Sequence, residues 1–126
     1  MLLGLGLDLV QVARVQASLE RFGQRFLARC FTPGEIELSM QRPRPAQALA
    51  MRFAAKEAFA KAAGLGMRGL GWTEIEVAHD QLGKPSLVLH GRAQEWARAA
   101  GVVGCHLSLT DEGDYAAAVV VLEKAG

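Results

Sequence analysis

The chain has 126 residues, 51% of them apolar and 21% charged, which suits one folded domain with a real core and excludes a disordered segment. Fourteen Lys and Arg against thirteen Asp and Glu leave a net charge of +1, which argues against nucleic-acid binding through bulk basic charge. Cys30 and Cys105 have neither metal spacing nor a disulfide framework, apolar runs such as Ala116–Leu122 are too short to cross a bilayer, and the apolar N-terminus carries Asp8 and no basic flank, so a cytoplasmic protein that does not engage a membrane is expected.

Leu2–Val10, short, apolar and dotted with glycine, reads as a buried strand. Gln11–Phe22 follows with helical spacing of Val12, Val15 and Leu19. Thr32-Pro33-Gly34-Glu35 is a helix start, with Thr32 as cap, Pro33 in the first turn and Glu35 closing a capping box. Pro43 and Pro45 interrupt the chain, and Ala46–Ala63 then forms a helix without Gly, Pro or β-branched residues. That helix is apolar nearly all round and is expected to be central and buried, ending in the glycine-rich stretch Gly64–Gly71. Trp72–Ala78 alternates as a strand, Asp80–Pro85 turns, Ser86–His90 is a short strand and Gln94–Ala100 a helix. Val102–Thr110 and Tyr115–Leu122 are strands joined by a hairpin at Asp111–Asp114. With no linker, repeat or low-complexity stretch, residues 1–126 form a single domain of α+β class, a largely antiparallel sheet packed around the long central helix.

Three groups of polar residues invite a chemical reading. Arg52, Lys56, Glu57 and Lys61 interrupt the apolar helix, with Arg52/Lys56 and Glu57/Lys61 each four apart. They are either two ordinary helix pairs or groups that bind a ligand, since charges are seldom buried unpaired. Asp8, inside an apolar strand, either caps the helix that follows or joins Glu57 as a hard oxygen ligand for Mg²⁺, with Lys61 reaching the same phosphate. His106, Ser108 and Thr110 share one face of their strand, opposite Cys105, Leu107 and Leu109. That face is either solvated or turned to a ligand.

Other chemistries lack their patterns. GLGLD has no third glycine and no helix opening on it, GLGMRGLG has no GK[ST] ending, and no GxSxG elbow exists. Cys105 and His106 are strand neighbours and point to opposite faces, which disfavours a nucleophile pair.

GLDLVQVARV at Gly6–Val15, FTPGE at Phe31–Glu35, RFAAKEAFAKAAG at Arg52–Gly64, GKP at Gly83–Pro85 and HLSLTDE at His106–Glu112 occur in that order along nearly the whole chain. Together they closely resemble the holo-acyl-carrier-protein synthases, the short group of 4′-phosphopantetheinyl transferases. The resemblance implies transfer of the 4′-phosphopantetheine arm of coenzyme A to a serine of an apo acyl carrier protein, with adenosine 3′,5′-bisphosphate leaving. It implies a homotrimer with active sites between subunits, and a carrier that serves fatty acid biosynthesis. By motif position Asp8 and Glu57 would carry Mg²⁺, and Lys61 would contact the pyrophosphate. Arg52 and His106 would hold the coenzyme's phosphates, and Gly83, Lys84 and Pro85 would line the adenine side across the subunit boundary. Arg14, Arg21 and Arg25 form either a solvated face or, given acidic carriers, a docking face. A noncatalytic module that binds coenzyme A or nucleotide is the competing reading, and loss of Asp8 or Glu57 separates the two.

Overall fold

Nineteen residues, Pro45–Ala63, wind into a helix whose interior has no strong breaker, with proline in its first turn. It stops at Gly64, which takes the left-handed conformation (φ 74°) and returns its N–H to the Ala60 and Lys61 carbonyls. A computed structural model describes residues Met1–Gly126 and sets this helix, α4, in the following order: β1 (Leu2–Gln11), α1 (Val12–Phe22), α2 (Gln24–Cys30), α3 (Pro33–Met40), α4, a 3-10 turn (Trp72–Glu74), β2 (Ile75–His79), β3 (Pro85–Leu89), α5 (Gly91–Ala100), β4 (Val102–Glu112) and β5 (Tyr115–Lys124). Leu49, Ala50, Ala54, Ala55, Ala58 and Phe59 of α4 are fully buried, so the helix is the core around which the other layers pack.

The expected antiparallel sheet is divided into two. One has strand order β1-β5-β4; the other is the β2-β3 hairpin. In the larger sheet Gly4, Gly6, Asp8 and Val10 stand opposite Leu122, Val120, Ala118 and Ala116, and these β5 residues are buried under α4. The other face carries Leu5, Leu7 and Leu9, each 65% exposed. His106, Ser108 and Thr110 lie on that outer face opposite Val121, Val119 and Ala117, which is the alternation expected from sequence.

Local reading missed what tertiary groups decide. After Gly23 (φ 52°) a second short helix, α2, begins where none was expected. The strand expected from Trp72 starts only at Ile75, after the 3-10 turn. Helix α5 begins at Gly91 rather than near Gln94, because the Glu74 carboxylate comes from outside the helix and accepts the N–H groups of Arg92 (2.6 Å) and Ala93 (3.2 Å).

The Thr32–Glu35 capping box is present, and it has a second task. Glu35 Oε1 also accepts from Lys56 Nζ at 2.7 Å, with both side chains essentially solvent-free. Lys56 donates further to the carbonyls of Trp72 (2.9 Å) and Ile75, and Glu35 Oε2 accepts the Val77 N–H at 2.9 Å. Burial pushes the Lys56 ammonium below its ordinary value while Glu35 pulls it back. All three ammonium hydrogens thus have acceptors, which is the condition under which a buried charge is tolerated.

Lys56→Met strands Glu35 as an unpaired buried charge and is expected to lower the unfolding free energy by about 3–5 kcal/mol, read from the urea midpoint. Adding Glu35→Gln to that variant removes the stranded charge, so the double variant should lose less than the sum of the single ones.

Candidate functional site

Because Asp8 is on the inward face of β1, its side chain meets α4. Lys61 Nζ lies 2.9 Å from Asp8 Oδ1 and 3.1 Å from the Leu7 carbonyl oxygen. The Asp8 side chain is 12% exposed and that of Lys61 52%, so the pair sits at a rim. Glu57, one helical turn before Lys61, completes the group. Burial and the Asp8 charge push its carboxyl above the usual carboxylate value, against the opposing pull of Lys61 and Arg14. The hydrogen bond to Asp8 in turn raises the Lys61 ammonium.

A cleft of about 330 Å³ opens beside the two carboxylates and is lined by Arg14, Ser18, Phe26 and Phe53 as well. Ser18, Phe26 and Phe53 also line a second hollow of about 400 Å³, bounded by Arg25, Arg29 and Trp72. Phe53 stacks on Trp72 with centroids 4.5 Å apart, giving the groove an aromatic wall. Of the three arginines expected to form a basic face, Arg14 enters the cleft and Arg25 the adjoining hollow. Arg21 lies outside both, over the Phe22 ring.

The remaining candidate residues lie elsewhere in the chain. Arg52 is buried, donates from Nη1 to the Ala48 carbonyl at 3.1 Å and leaves Nε without a partner. It borders a cavity of about 590 Å³ with Arg42, His79 and Gly83. Burial and these arginines push the His79 imidazole below its ordinary value. Gly83 (φ 86°) belongs to the β2–β3 turn, which Asp80 organises by accepting the N–H groups of Leu82 (2.8 Å) and Lys84 (2.9 Å), with Pro85 next. His106 stands on the outer sheet face with Nε2 2.9 Å from Glu123 Oε1. One chain therefore brings together Asp8, Glu57, Lys61 and Arg14, gathers Arg52 and Gly83 separately, and leaves His106 apart. Sequence reading passed over Arg42, Arg44 and His79. The available signal was the arginine-dense RPRP run, read only as a break, whose Arg42 and Arg44 line a further hollow of about 260 Å³ with Asp111.

Two carboxylates beside an ammonium are hard oxygen donors with no sulfur or imidazole, and no third metal-ligating side chain joins them. Mg²⁺ takes one or two protein carboxylates and completes its shell with water and phosphate, so the donor set fits that ion.

The model of the 4′-phosphopantetheinyl transferase superfamily matches residues 4–120. A holo-(acyl-carrier-protein) synthase of Serratia proteamaculans is 49% identical over 122 residues, 96% of this chain and 97% of the relative. One from Trichlorobacter lovleyi is 49% identical over 98% of both chains. The crystal structure of the Neisseria meningitidis holo-(acyl-carrier-protein) synthase superposes with a TM-score of 0.91 at 43% identity, covering 98% of this chain and 100% of that one. The Helicobacter pylori synthase in complex with coenzyme A gives 0.84 at 28% identity, over 94% and 99% of the two chains.

A carboxyl whose folded-state value is raised costs stability once ionised, and that cost disappears as pH falls through the raised value toward the ordinary one. In chelator, Glu57→Gln is therefore expected to melt above the parent at about pH 7 and to lose that advantage by about pH 4, as thermal unfolding across pH would show.

Proposed function

The chain belongs to the 4′-phosphopantetheinyl transferase superfamily, and on that premise we propose that it moves the 4′-phosphopantetheine arm of coenzyme A onto a serine of apo acyl carrier protein, releasing adenosine 3′,5′-bisphosphate. The observation that carries the reading is the meeting of Asp8, Glu57 and Lys61 at the mouth of one cleft, in a chain that aligns end to end with holo-(acyl-carrier-protein) synthases.

Phosphoryl transfer asks a protein for positioning and charge rather than for a covalent partner. The attacking hydroxyl belongs to the carrier, so the absence of a nucleophile motif here fits. Asp8 and Glu57 would hold Mg²⁺, which when bound supplies charge neutralisation on the phosphate oxygens. Lys61 spends two N–H donors on Asp8 and Leu7 and keeps a third for a phosphate oxygen of the coenzyme. Arg52, with Nε unpaired, and His106 bind the coenzyme's other phosphates, and Gly83, Lys84 and Pro85 line its adenine.

These residues are separated within one chain, which supports a coenzyme held between neighbouring subunits. The exposed apolar face of Leu5, Leu7 and Leu9 supports the same arrangement, a homotrimer in which a second subunit covers that sheet. Arg14 and Arg25 flank the aromatic groove and, together with Arg21 on the same stretch of chain, would steer an acidic carrier toward it. No helix is long and apolar enough to cross a membrane. In this reading the reaction is cytoplasmic and serves fatty acid biosynthesis.

Incubation with coenzyme A, Mg²⁺ and apo acyl carrier protein is expected to add the mass of one phosphopantetheine arm to the carrier, and EDTA to abolish the gain; no gain in either condition sinks the proposal. Asp8→Ala and Glu57→Ala should each lower turnover at least about a hundredfold, whereas a mere coenzyme binder would tolerate both. Arg14→Glu is expected to raise the carrier-protein KM more than the coenzyme A KM, with carrier binding weakening as salt rises. Equal effects on both constants would remove the docking assignment.

A further inference from the structure

The inward face of β1 presents two glycines before Asp8. A Cβ at Gly6 would overlap the backbone carbonyl oxygen of Ala58 and lie 2.7 Å from the Ala62 nitrogen; one at Gly4 would overlap the Ala62 carbonyl oxygen. Both obstacles are helix backbone, which cannot rotate out of the way as a side chain can. Neither glycine has a positive φ, so the requirement is for space and not for a left-handed turn. The two carbonyls that come so close belong to the residues directly after Glu57 and Lys61. Asp8 follows Gly6 by two positions on the same strand face, so the gap at Gly6 sets how far Asp8 stands from α4.

We propose that Gly6, with Gly4 behind it, is a positioning residue for the metal site: by letting β1 lie directly on the α4 backbone, it fixes the separation of the Asp8 and Glu57 carboxylates at a span that suits a small cation. This rests on the transferase reading and adds to it a geometric selector of ion size. Mg²⁺ demands short, near-octahedral oxygen distances, whereas Ca²⁺ accepts longer and more variable ones. A methyl group at residue 6 lifts the strand, widens the clasp and penalises the smaller ion more.

The test is a titration of the melting temperature of the full chain with Mg²⁺ and with Ca²⁺, each giving an apparent Kd. Three proteins are compared: the parent, Gly6→Ala and Gly101→Ala. Gly101 ends α5 at φ 77° with open space around it, so its alanine variant is destabilised by backbone strain without touching β1. Gly6→Ala is expected to weaken the Mg²⁺ Kd about tenfold or more, the size of effect that supporting residues have on metal sites, and to weaken the Ca²⁺ Kd less. Gly101→Ala should leave both constants at parental values. The inference is overturned by parental Mg²⁺ affinity in Gly6→Ala, by an equal loss for both ions, or by the same loss in Gly101→Ala. If Gly6→Ala does not fold, Gly4→Ala is measured instead, with a smaller selective loss of Mg²⁺ affinity expected and parental affinity again decisive against it. A parent chain whose melting temperature ignores Mg²⁺ overturns the metal reading and this inference together, whereas a responsive parent with an equally responsive Gly6→Ala overturns the inference alone.

Discussion

A buried ammonium cannot be left unpaired, and satisfying Lys56 fixes the rest of this structure. Its acceptors come from the first turn of α3, from the 3-10 turn and from the start of β2. Two stretches of chain, one before α4 at Glu35 and one after it at Trp72–Ile75, are thereby tied to one point on α4, and the helix cannot rotate about its axis without breaking them. Glu57 is the next residue along, about 100° further round a 3.6-residue helix. The bonds that hold Lys56 inward therefore aim Glu57, and Lys61 one turn later, at the cleft beside β1. Adjacent charged residues in one motif thus have opposite fates: one is consumed by the core, while the other lines the cleft.

The two sides of this arrangement carry opposite electrostatic accounts. Around Lys56 every donor and acceptor is matched, the condition under which a buried pair is tolerated. Around Glu57 the matching is incomplete: burial and then the neighbouring Asp8 charge disfavour its carboxylate, and the Lys61 hydrogen bond goes to Asp8. Helix α4 is otherwise closely packed, with its alanines buried and its backbone against Gly4 and Gly6 of the sheet.

Much of the site was legible before any coordinates, and the reason is local. Helix α4 and its capping glycine follow from propensity alone, and the alternation on β4 follows from a period of two. Asp8 stood out because a carboxylate in an apolar strand needs a partner. What escaped was decided over long sequence distances. Glu35 looked like an ordinary capping-box residue, and nothing nearby announced Lys56, twenty-one positions away. Glu74 caps a helix that starts seventeen residues after it, so α5 began earlier than its own composition suggested. Gly4 and Gly6 read as strand punctuation. Their real constraint is a helix backbone more than fifty residues on, which no local pattern contains.

Composition also concealed how charge is distributed. A net charge of +1 argues against a broadly basic surface, yet the fold sorts its arginines into two groups on different sides of α4. Arg14, Arg25 and Arg29 edge the aromatic groove, whereas Arg42, Arg44 and Arg52 surround the cavities on the other side. Local potential, not the sum over the chain, governs encounter and binding. Two positive regions on a near-neutral molecule suit a protein that meets two anionic partners, one at each region. The acidic pair Asp8–Glu57 lies at the edge of the first region, in the same cleft as Arg14, so opposite charges meet there within one hollow.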